Sequence, residues 1–403
     1  MLDAGAADAD PAPADGAPLP SWTFGGYGTL GAVHSSEHEA DFTANVLTPG
    51  SAGHSRSWSA DVDSRVGMQL GVQLTPALSA VLQLVSERGL TDSWRPAVEW
   101  ANLSYQVGPD LSVRVGRIAL PLFLAGDYRK AGYALPWVRP PVELYDAIPI
   151  SNSDGVDASY RWTLGGFNHV TQALFGRTDI SIGALARARA RRLASLSDTA
   201  TSGALTVRAS VLSTELTVDV ATAYFNALRQ FGPQGAALAD RYGARAKNTW
   251  VASVGASYDP GAWFLMAEIG RAQSHSFFGD KTAGYLSGGY RYGILTPYAT
   301  WSKVRANMPT RVPGLDLAGL PPPLVGAGAA LNAGLNGLLS SVARQHTSTV
   351  GLRWDFHSNL ALKLQYDRLT PEPGSTGTLI NVQPGFQSGH AIGVSSAVID
   401  FVF

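Results

Sequence analysis

The chain has 403 residues, a formal net charge of −1 and no cysteine. The near-neutral balance excludes a global field for nucleic acid, and the missing thiols exclude disulfides, thiol chemistry and Cys-based metal sites. A chain this long usually divides into two or three domains, yet 44 glycines with 10 Trp, 14 Tyr and 14 Phe suit many strands joined by tight turns.

Residues 1–20 are small residues, acids and prolines, with no basic n-region and no apolar h-region. They predict a disordered lead-in rather than a signal peptide. No run of about 18 apolar residues occurs anywhere, so no helix can span a membrane. Instead the chain shows strict period-two alternation, beginning with "WTFGGYGTLGAV" at Trp22. "HSSEHEAD" (34–41) then gathers His34, Glu37, His38, Glu39 and Asp41. With no helical spacing behind them, an exposed loop with adventitious metal binding or none is expected, and no metal site is assigned. In "RVGMQLGVQL" Val66, Met68, Leu70, Val72 and Leu74 share one face, while Arg65, Gly67, Gln69, Gly71 and Gln73 share the other. After a turn at Thr75–Ala77, Leu78, Ala80, Leu82 and Leu84 alternate with Ser79 and Gln83. Successive side chains of a strand point to opposite faces, so each segment is a strand with one apolar face.

The stretch 133–149, "YALPWVRPPVELYDAIP", breaks the pattern. Pro136, Pro140, Pro141 and Pro149 cannot sit inside a helix or a central strand. Prolines and aromatics also oppose disorder, so a long, ordered loop is expected over 123–155. "ARARARRLASL" (186–196) places Arg187, Arg189 and Arg191 on one face if it is a strand; within a predicted long loop at 181–202 it reads as a lipopolysaccharide-phosphate contact, an anion ladder or a solvated run. Leu331, Leu335, Leu338 and Val342 have helical spacing after "LPPP" and predict a short helix on an outer loop. Val350, Leu352, Trp354 and Phe356, then Leu360, Leu362, Leu364 and Tyr366, resume the alternation on either side of an "HSN" turn. The chain stops at "AVIDFVF", with Phe401 and Phe403 on one face. No phosphate loop and no Ser/His/Asp order stands out, so no catalytic group, enzyme activity or cofactor is assigned.

Predicted strands begin near residues 22, 64, 78, 97, 111, 156, 167, 203, 216, 248, 263, 283, 295, 346, 360 and 391. Their connections alternate short ("TPA", "GPD", "STE", "DPGA", "HSN") and long (35–60, 123–155, 181–202, 229–247, 308–345, 370–388). Many alternating strands also suit a propeller or sandwich, but no blade repeat is visible. The fold expected is all-β: a transmembrane antiparallel β-barrel over 21–403 with about 16 strands (roughly 14–18), short periplasmic turns and long outer loops.

Gly116–Arg117 on a strand, then Pro121, then a long loop with "RPP", then a strand opening on "DGVD" (154–157) resembles Gram-negative porins and porin-like proteins. Those carry a comparable Gly-Arg strand followed by a loop folded into the lumen. The terminal Phe resembles the signature that the outer-membrane barrel assembly machinery recognises, which implies that role for Phe401 and Phe403. The resemblance runs nearly the whole length from Trp22. It implies an outer-membrane location, a homotrimer, contacts with outer-membrane lipids and lipopolysaccharide, and 123–155 as a constriction. General porins bear a dense acidic cluster on the inward loop. Here Asp127, Glu143, Asp146 and Asp154 are interleaved with Arg129, Lys130 and Arg139, against simple cation preference.

Arg65, Arg114, Arg271, Arg353 and Lys363 are expected in the lumen from polar strand faces, and Arg117 if a bulge turns it inward. Against the loop charges they would set a transverse field across a narrow aqueous gap. The function expected is passive diffusion of small hydrophilic solutes or ions. The alternatives are a substrate-specific anion or carboxylate channel, and a plugged barrel with an enzymatic or adhesive role.

Overall fold

The computed structural model describes residues 19–182 and 186–403. The predicted lead-in therefore lies, except for Leu19 and Pro20, outside the described residues. Sixteen strands form a closed antiparallel barrel: β1 (Ser21–Ser35), β2 (Arg65–Thr75), β3 (Leu78–Glu87), β4 (Ala97–Gln106), β5 (Leu111–Ala119), β6 (Asn152–Leu164), β7 (Phe167–Ile182), β8 (Ala186–Ser202), β9 (Leu205–Val218), β10 (Lys247–Tyr258), β11 (Trp263–Gln273), β12 (Lys281–Tyr290), β13 (Leu295–Ala306), β14 (Gln345–His357), β15 (Leu360–Pro371) and β16 (Ile392–Val402). Each strand pairs with its sequence neighbour. β1 closes the ring against β16, with Gly28 opposite Phe401 and Tyr27 opposite Val402. Closure leaves no open sheet edge, the condition a sheet must meet in lipid.

Long connections lie at one end of the barrel and tight turns at the other. One long connection carries the short strands Asp41–Phe42, Ala52–Gly53 and Trp58–Ser59. Others carry helices α1 (Val142–Tyr145), α2 (Thr222–Arg229), α3 (Gly232–Tyr242) and α4 (Pro322–Ser340). The predicted helix is α4; its Leu335 and Leu339 are fully buried against Phe225 and Leu228 of α2.

The alternation sorts the faces as read. Met68, Val350, Leu364 and Ile399 are exposed on the outer surface, whereas Gln83, Lys363, Gln365 and Asp400 are buried inside. One region differs from expectation. Within the expected loop 181–202, residues 186–202 are strand β8, and the strands expected near 203 and 216 are one strand, β9. "ARARARR" obeys period two, with Ala188 and Ala190 on the inward face and Arg187, Arg189 and Arg191 outward, while an irregularity sits between Arg191 and Ala194. "STE" runs straight through β9: Thr214 continues the inward face while Ser213 and Glu215 continue the outward one. A dense run of charge and a Ser-Thr pair mimic turn chemistry; pairing with both neighbours overrides them.

Candidate functional site

β5 ends at Ala119, and Pro121 cannot continue a ladder. The chain leaves the wall, closes back with Leu120 N–H donating to Ser151 O at 2.9 Å, and folds into the barrel. Its apolar residues make this favourable. Leu122, Phe123, Leu135, Trp137, Leu144 and Tyr145 are buried against inward-facing Leu174, Leu212, Val251, Phe264, Tyr285 and Tyr298. The Trp137 ring meets Tyr285 edge-on at 5.6 Å, and its indole N–H donates to Ser287 Oγ at 2.8 Å. Two wall glycines make room. A Cβ on Gly255 would lie 2.6 Å from the Leu124 side chain, and one on Gly270 would lie 2.9 Å from Leu144 Cδ1.

A loop without strand partners must find partners for its backbone elsewhere. The wall supplies them. The Lys363 ammonium donates to the carbonyls of Gly132, Leu135 and Trp137 at 2.7–2.8 Å and pairs with Asp400 at 2.8 Å. Arg353 donates to Tyr133 O and Leu135 O while paired with Asp355. Ser253 Oγ donates to Leu122 O, and Leu124 N–H donates to Glu268 at 2.9 Å. Asp127 pairs with Arg208 at 2.7 Å.

From the loop side, Arg139 forms a two-pronged pair with Asp63 (2.9 and 2.6 Å), reaches Asp367 at 2.9 Å and lies 5.1 Å from the Phe42 ring centre. Burial opposes its charge, but Asp63 and Asp367 more than offset this and hold the guanidinium protonated. Glu143 accepts from Ser302 Oγ and Gln345 Nε2, both at 2.7 Å. These contacts revise the reading of three candidates. Arg139, Glu143 and Lys363 do not present charge to an open lumen; each is at most 4% exposed and ties the loop to the wall.

The opposite side of the barrel is wetter. Lys130 bridges Glu87 at 2.7 Å and Glu99 at 2.8 Å. Burial works against its charge, and the two carboxylates outweigh that and hold the ammonium protonated. Arg65 reaches Glu87 at 3.9 Å, and Arg114 grips Asp157 with two bonds of 3.0 and 2.6 Å. Arg129 donates to Ile148 O and Pro149 O, and Asp146 accepts from Val46 N–H at 3.0 Å. Burial pushes the Asp146 carboxyl up to about 7, against the lowering effect of that hydrogen bond.

Three expected lumen residues face the other way. Arg117 and Asp154 pair at 2.7 and 2.9 Å on the outer surface, in step with exposed Val115 and Val156. No bulge turns Arg117 inward; Ile118 takes the inward place and is fully buried. Arg271 likewise alternates in phase with exposed Leu265 and Ile269. Sequence reading missed the acids that complete the array: Asp63, Glu87, Glu99, Asp367 and Asp400. A signal exists for two of them, because Lys363, Gln365 and Asp367 share a face at spacing two and Glu87 continues the face of Gln83.

No family model matches the chain, and no curated protein sequence matches it. Solved structures do. OmpF of Salmonella typhi in complex with daunomycin superposes with a TM-score of 0.56 at 12% identity, covering 95% of this chain and 98% of that one. The outer-membrane channel DcaP of Acinetobacter baumannii gives 0.55 at 11%, covering 95% and 97%. An anion-selective porin from Comamonas acidovorans gives 0.51 at 15%, covering 95% and 99%. At such identities the likeness is one of fold, over almost the full length of both chains. That architecture, closed by sixteen strands and holding a long loop inside, is the fold of a porin-like outer-membrane β-barrel.

Proposed function

We propose that the protein is a non-enzymatic outer-membrane porin that lets small hydrophilic solutes or ions diffuse passively between the 120–151 loop and the β2–β6 wall. One contrast carries this reading. The Lys363–Asp400 and Arg139–Asp63 pairs under the loop are dry, at 0–3% side-chain exposure, whereas Arg65, Arg114 and Lys130 on the opposite side keep 17–21%; Arg353, at the edge of the loop, keeps 15%. Charges that retain water beside a fixed loop suit a narrow aqueous path. Each of these cations is paired with a carboxylate, so the path is of mixed sign. The arginine run of β8 lies outside the barrel and gives no anion ladder, which favours a general porin over a dedicated anion channel.

In this reading Phe401 and Phe403 face outward on the closing strand, Phe403 exchanging backbone hydrogen bonds with Gly26, where assembly machinery would meet them. The homotrimer is checked by cross-linking in native membranes. The function is tested with purified protein in planar bilayers, where discrete ion-conducting steps are expected. Correctly folded protein that stays silent would overturn it in favour of a plugged barrel.

A further inference from the structure

The outer rim of the barrel is not level. β3 and β4 pair as far as Val85–Ala97, and β7 and β8 as far as Ile182–Ala186. Between them β5 and β6 stop at Ala119 and Asn152, because the chain there turns into the barrel as the inner loop. The β4–β5 ladder runs only from Gln106–Ser112 to Ala101–Arg117 and is the shortest in the ring. Gly116 sits at its upper end with φ +132°, where a Cβ would lie 2.2 Å from Ala101 O. Only glycine fits this departure from the ladder. The β6–β7 ladder also ends at that height, at Asp154–Arg177. The wall therefore has a notch on either side of the β5–β6 pair, with its sill at the level of Arg117–Asp154, while β5 and β6 themselves stay paired to Ala119–Asn152.

A cavity of 310 Å³ occupies the notch, and its lining comes from both faces of the wall. Glu87, Glu99 and Lys130 belong to the lumen; Arg117, Asp154 and Arg177 belong to the outer surface. The outer three also line a second cavity, of 580 Å³, on the outside. That one adjoins a groove of 750 Å³ with exposed Val115, Val156 and Phe175 along it and Arg177, Arg191 and Arg192 around it. Arg117 is neutralised by Asp154; the groove's lining carries the guanidiniums of Arg177, Arg189, Arg191 and Arg192 against the carboxylates of Asp154 and Asp179, a cationic excess. An apolar floor beside an excess of guanidiniums complements a molecule with an alkyl body and an anionic head.

We propose that the barrel has a side entrance at this notch and that its sill takes a single-chain anionic amphiphile, an alkyl carboxylate, arriving along the outer wall. The alkyl chain lies on Val115, Val156 and Phe175. The head meets Arg177 and Arg191 at the outer mouth of the notch. The proposal rests on the reading of an aqueous path beside Lys130, but its binding arm does not require conduction.

Thr178 lines both the notch and the outer groove, and the chain has no cysteine, so Thr178→Cys places one thiol at the passage. Dodecanoate should slow maleimide labelling of that thiol, and dodecyltrimethylammonium should not. Adding Arg177→Glu should raise the dodecanoate needed about tenfold, the size expected for one lost charge-assisted contact. In bilayers, a bulky maleimide on the introduced thiol should remove most of the conductance. A conducting protein whose labelled form conducts equally, with no protection by dodecanoate, would overturn the side entrance and leave the porin reading intact. Protection by lipopolysaccharide but not by dodecanoate would make the groove a lipid-headgroup contact and would also overturn it. If the wild type is silent, the porin reading fails, while labelling protection still decides the amphiphile site.

Discussion

The inner faces of β10–β15 and of β2–β6 arise from the same alternation but carry different chemistry. On β10–β15 the inward positions include Val251, Phe264, Tyr285 and Tyr298, with Lys363 and Asp367 sealed beneath the loop. On β2–β6 they include the pairs Arg65–Glu87 and Arg114–Asp157, whose cations keep 17% and 21% side-chain exposure. The difference explains where the loop rests. A segment with no strand partner needs apolar area to bury and donors for its carbonyls, and only the first wall offers both. The second wall is left to the solute.

Breaking the dry side should have the largest effect. Arg139→Ala leaves Asp63 and Asp367 buried without their cation, which costs about 3–5 kcal/mol of loop docking. Protease cleavage within 120–151 should become fast and single-channel conductance should rise; unchanged protection would show that this pair is not the anchor. Trp137→Ala should cost about 3 kcal/mol, near the low end for a buried aromatic, because Ser287 keeps a second partner in Thr300 at 2.7 Å. Arg65→Ala on the wet side should cost less than about 1 kcal/mol, since Lys130 still holds Glu87. Equal losses at Arg139 and Arg65, read from urea titrations of loop protection, would erase the contrast between the walls.

A smaller effect concerns pH. The Asp146 carboxyl, raised to about 7 by burial, faces Arg129, Lys281 and Glu143. A carboxyl raised on docking favours the docked loop fully below its free value near 4, and that contribution is lost as pH rises through about 7. Loop protection from protease should therefore fall between about pH 4 and about pH 7, from the free value to the raised one, and level off above it. Asp146→Asn, neutral throughout, should flatten the profile. A profile unchanged by that substitution would assign the titration elsewhere.

The fold is legible because lipid leaves period two with no competing signal: Val350, Trp354 and Phe356 read outward, and they are. The site is less legible for a physical reason. Alternation assigns an inward face, but it does not separate inward-and-wet from inward-and-covered. Lys363 and Arg114 look alike in sequence, and the loop alone decides that one is dry. Arg117 reads inward only if a bulge intervenes, whereas unbroken alternation from Val113 already places it outside. The span 181–202 reads as a loop because a run of arginines suits a loop in most settings. On the outer face near a barrel rim, arginine suits a strand equally well.

Arg114→Glu is the finest test of the wet wall. It replaces a paired cation by a carboxylate beside Asp157, at constant backbone. Asp157 has 0% side-chain exposure, so the change should also lower barrel stability, a cost eased by the hydrogen bond Asp157 keeps from Gln172 Nε2. Two unit charges about 4 Å apart interact by only about 1 kcal/mol in water. Reversing the charge changes that interaction by two units, about 2 kcal/mol, so local ion occupancy changes about thirtyfold at most, and high salt should weaken it. Reversal potentials under a salt gradient should shift toward cation preference, more at low than at high ionic strength. The same substitution principle applied on the dry wall, Lys363→Glu, should instead undock the loop, because it sets a second carboxylate against Asp400 where no water reaches either. If Lys363→Glu merely shifted selectivity, the lumen would be wet on both sides and the loop would not divide it.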